Sequence, residues 1–233
     1  MKAVFKREFR SYFTGGIGLA YCAIFIFLAN WSYQTSFVEQ FSSNFVGIFG
    51  VILGNMSFLI PILTMRIWSE EKKQKTDQLL LTAPVTPMQL VLGKFMAAMA
   101  LYLISLALTV TYPIITYTYG TLEWGLIIGN YIAIICVAAA YIAICQFMSS
   151  LTESQIISAI LSLATLLCFS MFHDIVGADI ELLYKVASFI SIELRYMNFL
   201  KGVFVLSDIV YFISLAALFL FINSRMIDKR RWS

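Results

Sequence analysis

The chain has 233 residues, of which 61% are hydrophobic and only 12% charged, with a net charge of +3 and a mean hydropathy of +0.86. Soluble domains are roughly half apolar and a quarter charged, so this composition excludes a soluble globular domain and places the chain in a bilayer. The length holds several spans of about 20 residues joined by short loops, a single membrane domain over residues 1–233 with little left for a soluble one.

The chain opens with MKAVFKREFRSYFT, residues 1–14. On a helix Phe5, Phe9, Tyr12 and Phe13 share a stripe beside Lys6, Arg7 and Arg10, the pattern of an interfacial helix lying on the inner leaflet. Charge extends too far into the segment, and no small-residue cleavage site follows the next apolar run, so it does not read as a secretory signal. Gly15-Gly16 turns the chain into the first of six uncharged runs. These lie at about Gly16 to Tyr33, Phe45 to Met65, Phe95 to Tyr119, Leu126 to Met148, Ile156 to Phe172 and Ile209 to Asn223. The fifth sits at the short end of the usual span length.

Basic residues orient the runs. With the N-terminus inside, the inner segments hold Lys2, Lys6, Arg7, Arg10, then Arg66, Lys72, Lys73, Lys75, Lys94, then Arg225, Lys229, Arg230 and Arg231, while the outer segments keep Lys185, Arg195 and Lys201. That asymmetry predicts both termini in the cytoplasm. The positive net charge therefore reports topology, and no nucleic-acid partner is indicated.

Between the second and third runs lies MRIWSEEKKQKTDQLLLTAPV, residues 65–85. Ser69 before Glu70 and Glu71 reads as a helix start, and Glu71 stands four residues ahead of Lys75 in the stabilising order. Thr76, Leu79, Leu80 and Ala83 then share a face until Pro84. Thr86-Pro87-Met88-Gln89 carries the signature of a capping box leading into the third span. The expectation is a short amphipathic helix in the cytoplasmic segment 66–93, whose apolar face needs a partner in lipid or protein.

This segment, with the closing run RYMNFLKGVFVLSDIVYFISLAALFLFINSRMIDKRRW, resembles type-2 ABC exporter permeases, and more narrowly the permeases of gliding-motility and nitrous-oxide-reductase maturation transporters. In that family an E-E-x-x-x-x-T-x-x-x-L-L-x-x-P pattern forms a coupling helix that docks on the ATPase. By position the resemblance implies docking through Glu70, Glu71, Thr76, Asp77, Leu79, Leu80 and Leu81. Residues 72–75 are Lys-Lys-Gln-Lys here, more basic than the glycine-containing family version. The resemblance further implies an ABC ATPase subunit as partner, a second permease copy or similar chain, a bacterial cytoplasmic membrane location and an extracytoplasmic accessory protein as a further candidate partner.

The remaining residues agree with a transport subunit driven from elsewhere. The six runs contain no Asp, Glu, Lys, Arg or His, and ion-coupled carriers need such groups at membrane depth. Gly93-Lys94 is followed by Phe95, so no G-x-x-x-x-G-K-[ST] phosphate loop exists. ATP and magnesium are accordingly expected on a separate ATPase, with no cofactor, catalytic group or metal in this chain. His173 has no second His or nearby Cys to complete a metal set. Cys22, Cys136, Cys145 and Cys168 read as packing residues. A membrane scaffold recruiting a cytoplasmic enzyme would show the same basic helix without a path at a dimer seam.

Polar groups in the runs have two readings. Thr109, Tyr112, Thr116 and Tyr117 around Pro113 form either an aromatic interface belt with a proline bend or the wall of an outer cavity. Asn55 is a further candidate for the path, and with Ser57 and Gln146 a candidate for hydrogen bonds between helices. Residues 173–207 carry Asp174, Asp179, Glu181 and Glu193 among apolar positions, and Ser191 with Glu193 is placed to start a helix. The expectation is a short external re-entrant pair capping the outer end. In sum the fold expected is all-α and integral to the membrane: six spans, an N-terminal interfacial helix, a cytoplasmic coupling helix and that external pair.

Overall fold

A computed structural model describes residues 1–35, 45–76, 86–118, 122–176 and 191–231. In chain order the helices are α1 (Lys2–Thr14), α2 (Ile17–Tyr33), α3 (Phe45–Thr64), α4 (Arg66–Lys73), α5 (Pro87–Leu108), α6 (Thr111–Tyr117), α7 (Trp124–Leu151), α8 (Gln155–Val176), α9 (Ile192–Leu200) and α10 (Leu206–Arg231). No strand occurs among the described residues.

α7 is the axis of the bundle. From Val137 to Gln146 all but Ala139 are buried, which is what an apolar helix without a polar face requires. Ala133, Ala138, Ala140 and Ala143 keep its girth small, so α3, α4, α5, α8, α9 and α10 all reach it; small residues permit such close approach between membrane helices. At its first turns Gly129 leaves room for the Phe204 ring, whose Cζ lies 1.4 Å from where a Cβ would stand. α10 packs on α7 and α5 yet turns Leu206, Val210, Ile213, Leu218 and Phe221 outward.

Helix breaks follow local chemistry. Gly16 takes φ +73°, a left-handed conformation that costs glycine little, and α1 and α2 meet there at 70°. Pro113 has no N–H for the Thr109 carbonyl. The third run accordingly breaks at Thr109–Val110, where Tyr112 N–H reaches Thr109 at i+3 instead. Pro61 lies in the last turn of α3, and after the single turn residue Met65 the chain continues as α4.

Four stretches are long and apolar enough to cross a membrane: Gly47–Lys73, Pro87–Tyr117, Trp124–Leu151 and Leu206–Lys229. The bent pair α1–α2 makes a fifth if counted as one span, and Gln155–Met171 is a shorter apolar helix. The chain is thus a multi-pass helical membrane protein, with four to five candidate crossings among the described residues.

Candidate functional site

At one end of the bundle α1, α4 and α5 converge on a buried set of charges. α5 starts at Pro87, so Lys94 lies two turns inside a helix and is only 1% exposed. Its ammonium meets Glu71 at 2.9 Å and Glu8 at 3.3 Å, donates to the Ile67 carbonyl at 2.8 Å and sits 4.7 Å from the centre of the Trp68 ring. Arg7 closes the set, bonding Glu71 at 2.7 Å and also Glu8. Two cations face two carboxylates, so the cluster is neutral, the condition under which charge tolerates burial. Burial works against the Glu8 carboxylate, but the Lys94 and Arg7 charges outweigh it and hold its pKa below the ordinary value.

A second clasp lies along the same pair of helices. Arg66 donates to the Ser11 hydroxyl at 2.9 Å and pairs with Glu70 at 3.3 Å. Its guanidinium lies against the last turn of α1, where a cation complements the helix dipole. Arg66 beside Ser11 and Glu71 beside Arg7 show that α1 and α4 run antiparallel in a fixed register. α1 also presses on α5: a Cβ at Gly93 would lie 2.8 Å from Val4 Cγ1, so only glycine admits this approach. Between α1 and α4 a recess of about 320 Å³ opens, lined among others by Arg7, Tyr12, Arg66, Glu70, Gln74 and Thr76.

α4 is rooted on its other side as well. Ile67, Trp68 and Ser69 are buried. The Ser149 hydroxyl of α7 accepts from the Trp68 and Ser69 amides at 3.2 and 3.4 Å and donates to the Met65 carbonyl at 3.0 Å. Lys72 donates to the Ser150 carbonyl.

The expected helix start at Ser69 is therefore corrected. The helix already runs from Arg66, and the Ser69 hydroxyl bonds back to Met65 O instead of capping. The expected Glu71–Lys75 pair is also replaced, because Glu71 is taken by Lys94 and Arg7. α4 ends at Lys73 in a Schellman motif: Thr76 N–H bonds Glu71 O and Lys75 N–H bonds Lys72 O, both at 3.0 Å. Lys75 stands where glycine is usual and takes φ +57°. The helix from Arg66 thus stops before Thr76, which lies outside it. Asp77, Leu79, Leu80 and Leu81 fall outside the described residues. Beyond them the expected N-cap is present, with the Thr86 hydroxyl accepting from Gln89 N–H at 3.4 Å and Pro87 at the first helical position.

The polar groups proposed for a path are dispersed. Tyr112 stacks on Tyr33 with ring centres 4.7 Å apart, and Tyr33 OH meets the Thr116 hydroxyl at 3.1 Å. Thr109 bonds Tyr131 at 3.1 Å. Thr109, Tyr112 and Thr116 are buried between helices, whereas Tyr117 is 60% exposed and Asn55 is half-buried on α3. Gln146 joins α7 to α5 through the Val91 carbonyl at 3.0 Å. At the far end Ser191 caps α9 as expected, accepting from Leu194 N–H at 3.4 Å.

Sequence reasoning missed the charge cluster. Lys94 counted there only as a topological charge ahead of a span starting at Phe95, and Glu8 drew no notice in a basic helix. The available signal was a lone carboxylate at Glu8 and a lysine followed by an unbroken apolar run.

Apolar helices long enough to cross a membrane, clasped at one end by a buried, neutral charge cluster, make this a multi-pass membrane protein. The chain belongs to the ABC-2 family transporter proteins, whose family model matches residues 2–217. Among curated proteins none matches it. It is accordingly a transmembrane permease of an ABC transporter, a transport component in the membrane.

Proposed function

We propose that this chain is the permease subunit of an ATP-driven exporter, that two such chains form the path, and that a separate ATPase docks on the segment from Glu70 to Leu81. In this reading α2 and α8 are the two further crossings, giving six. An even number leaves both termini on the cytoplasmic side of a bacterial cytoplasmic membrane. ATP and magnesium belong to the partner, and Thr109, Tyr112 and Thr116 with Asn55 and Tyr117 remain candidates for the path.

The observation that carries the reading is the rooting of α4. Lys73, Gln74 and Lys75 are exposed at its tip, while its base is tied by Ser149 to α7 and by the Lys94 cluster to α1 and α5. A partner gripping the connection between Thr76 and Thr86 would thus pull on several helices at once, which a coupling element needs and a mere anchor does not.

The test is recovery of the co-expressed ATPase with detergent-solubilised permease. If Leu79 and Leu80 fill an ATPase groove, Leu80→Asp buries an unpaired charge at the joint and abolishes recovery. Lys229→Asp, exposed near the end of α10 and outside the proposed docking segment, serves as control. Equal recovery from Leu80→Asp and the unaltered chain refutes docking through this segment.

A further inference from the structure

α1 divides its side chains between the bundle and the outside. Val4 and Tyr12 are buried, and Glu8 on the same side reaches Lys94 at 3.3 Å, so this face is taken up by α5 and the charge cluster. Beside it Phe5, Phe9 and Phe13 form a ladder at successive turns, with ring centres 5.7 and 5.1 Å apart. Phe5 and Phe9 are half-buried and Phe13 is 36% exposed, so the ladder keeps one edge outside the protein. Of the aromatic stripe expected on the leaflet, Tyr12 alone turns fully inward.

Along the outer edge of the ladder stand Lys2, Lys6 and Arg10. They recur at every fourth residue and all three are exposed, a spacing that sets them in one row about 12 Å long. Among the described residues none of the three side chains has an acidic partner. The carboxylates nearest to α1 are already engaged: Glu8 and Glu71 by Lys94 and Arg7, Glu70 by Arg66. α1 leaves α2 at 70°, so with α2 crossing the bilayer α1 runs along its surface. The cations then lie at the level of the headgroups.

We propose that the Lys2–Lys6–Arg10 row and the Phe5–Phe9–Phe13 ladder form a binding face for anionic phospholipid of the inner leaflet, and that lipid held there tightens the clasp of α1 on α4. The inference takes α2 as a crossing and the Lys94 end as the inner one, and it needs no ATPase. Lipid phosphates accept from the row while acyl chains cover the exposed ring edges, the two contacts by which a surface helix holds an anionic leaflet. A topological preference alone requires positive charge on this side; it requires neither a row nor a ladder beside it. Arg7 and Glu8 carry the effect onward, because they lie on the same helix and bind Glu71 and Lys94. A ligand of the docked α1 therefore stabilises the whole cluster.

The test uses the purified full chain in dodecyl maltoside micelles containing phosphatidylglycerol or, at the same mole fraction, phosphatidylcholine. Micelles offer lipid on every side, so the result does not depend on which way the bundle faces in a cell. Phosphatidylglycerol raises the unfolding midpoint by at least about 4 °C over phosphatidylcholine, and slows hydrogen exchange at the α1 and α4 amides at least about threefold. K2Q/K6Q/R10Q loses both effects, while its midpoint in phosphatidylcholine stays that of the unaltered chain because the three side chains have no partner to lose. K2R/K6R keeps the charge and keeps the response. K73Q/K75Q/K229Q, which removes as many exposed cations from the same end, also keeps it. Equal midpoints of the unaltered chain in the two lipids overturn the proposal, as does a full response in K2Q/K6Q/R10Q. An equal loss in K73Q/K75Q/K229Q overturns it in favour of net charge alone, and an equal response to glycerophosphoglycerol, which has no acyl chains, in favour of a free phosphate. Slower exchange in α1 without slower exchange in α4 overturns the link from lipid to the clasp.

Discussion

Lys94 is the residue whose role depends most on what surrounds it. In isolation a fully buried ammonium is prohibitive, and here it persists because Glu8, Glu71 and the Ile67 carbonyl all accept from it or face it. Removing it should therefore harm the protein more than losing one contact would. Lys94→Met fills much of the same space but leaves Glu8 and Glu71 sharing Arg7 alone in a buried site. The expected loss is about 3–5 kcal/mol, the range for breaking a buried pair by deleting one partner. It should show as a lower unfolding midpoint in detergent, with Lys94→Met/Glu71→Gln losing less than the single change because one stranded carboxylate is neutralised. An unchanged midpoint in Lys94→Met would show that the cluster does not hold α1 to α4 and α5. The sequence hinted at the lone Glu8 and at Lys94 before an apolar run but not at their meeting, because Glu8, Glu71 and Lys94 lie 63 and 23 residues apart along the chain and only the docking of three helices brings them together.

At the scale of elements the local signals were legible where they were chemically complete. Thr86-Pro87 starts α5, Gly15-Gly16 turns α1 into α2, and Ser191 starts α9, each because a cap or a glycine acts on its own neighbours. The signal failed at α4. Ser69 looked like a cap, but it lies inside a helix already set by the burial of Ile67 and Trp68 where α4 packs on α7, and tertiary burial overrides propensity in so short a helix. Its end was hidden too, because Lys75 occupies the left-handed position that glycine would have announced. That substitution can be tested. A non-glycine residue pays roughly 1–2 kcal/mol in this conformation, so Lys75→Gly should tighten the Schellman turn and slow hydrogen exchange at the amides of Lys75 and Thr76. Lys75→Val should speed it, β-branching making the left-handed conformation worse. Faster exchange in Lys75→Gly would mean that the turn is not what ends α4.

For the whole molecule the question is which way the bundle faces, and the placement of charge bears on it independently of the number of crossings. The Ser150 hydroxyl reaches Met226 Sδ, which puts the last turns of α10 at the same end as α4 and the Lys94 cluster. Lys2, Lys6, Arg7, Arg10, Arg66, Lys72, Lys73, Lys94, Arg225 and Lys229 thus gather at one end of the described structure, and Arg195 and Lys201 lie at the other. Cationic loops are retained on the cytoplasmic side, so the Lys94 end is expected inside, where a cytoplasmic ATPase would find the exposed tip at Lys73–Lys75. Single cysteines at Gln40, Ala178 and Gln74 in a cysteine-free chain test this with an impermeant thiol reagent on intact cells. Gln40 and Ala178 belong to the segments expected outside and should react, while Gln74, exposed at the tip of α4, should react only after the membrane is made permeable. The three positions are informative together because an inverted bundle would exchange their behaviour completely, whereas a miscounted crossing between Gln74 and Ala178 would put both on one side. Labelling of Gln74→Cys from outside would remove the ATPase from reach of the segment that begins at Glu70, and with it the proposed route by which hydrolysis moves this permease.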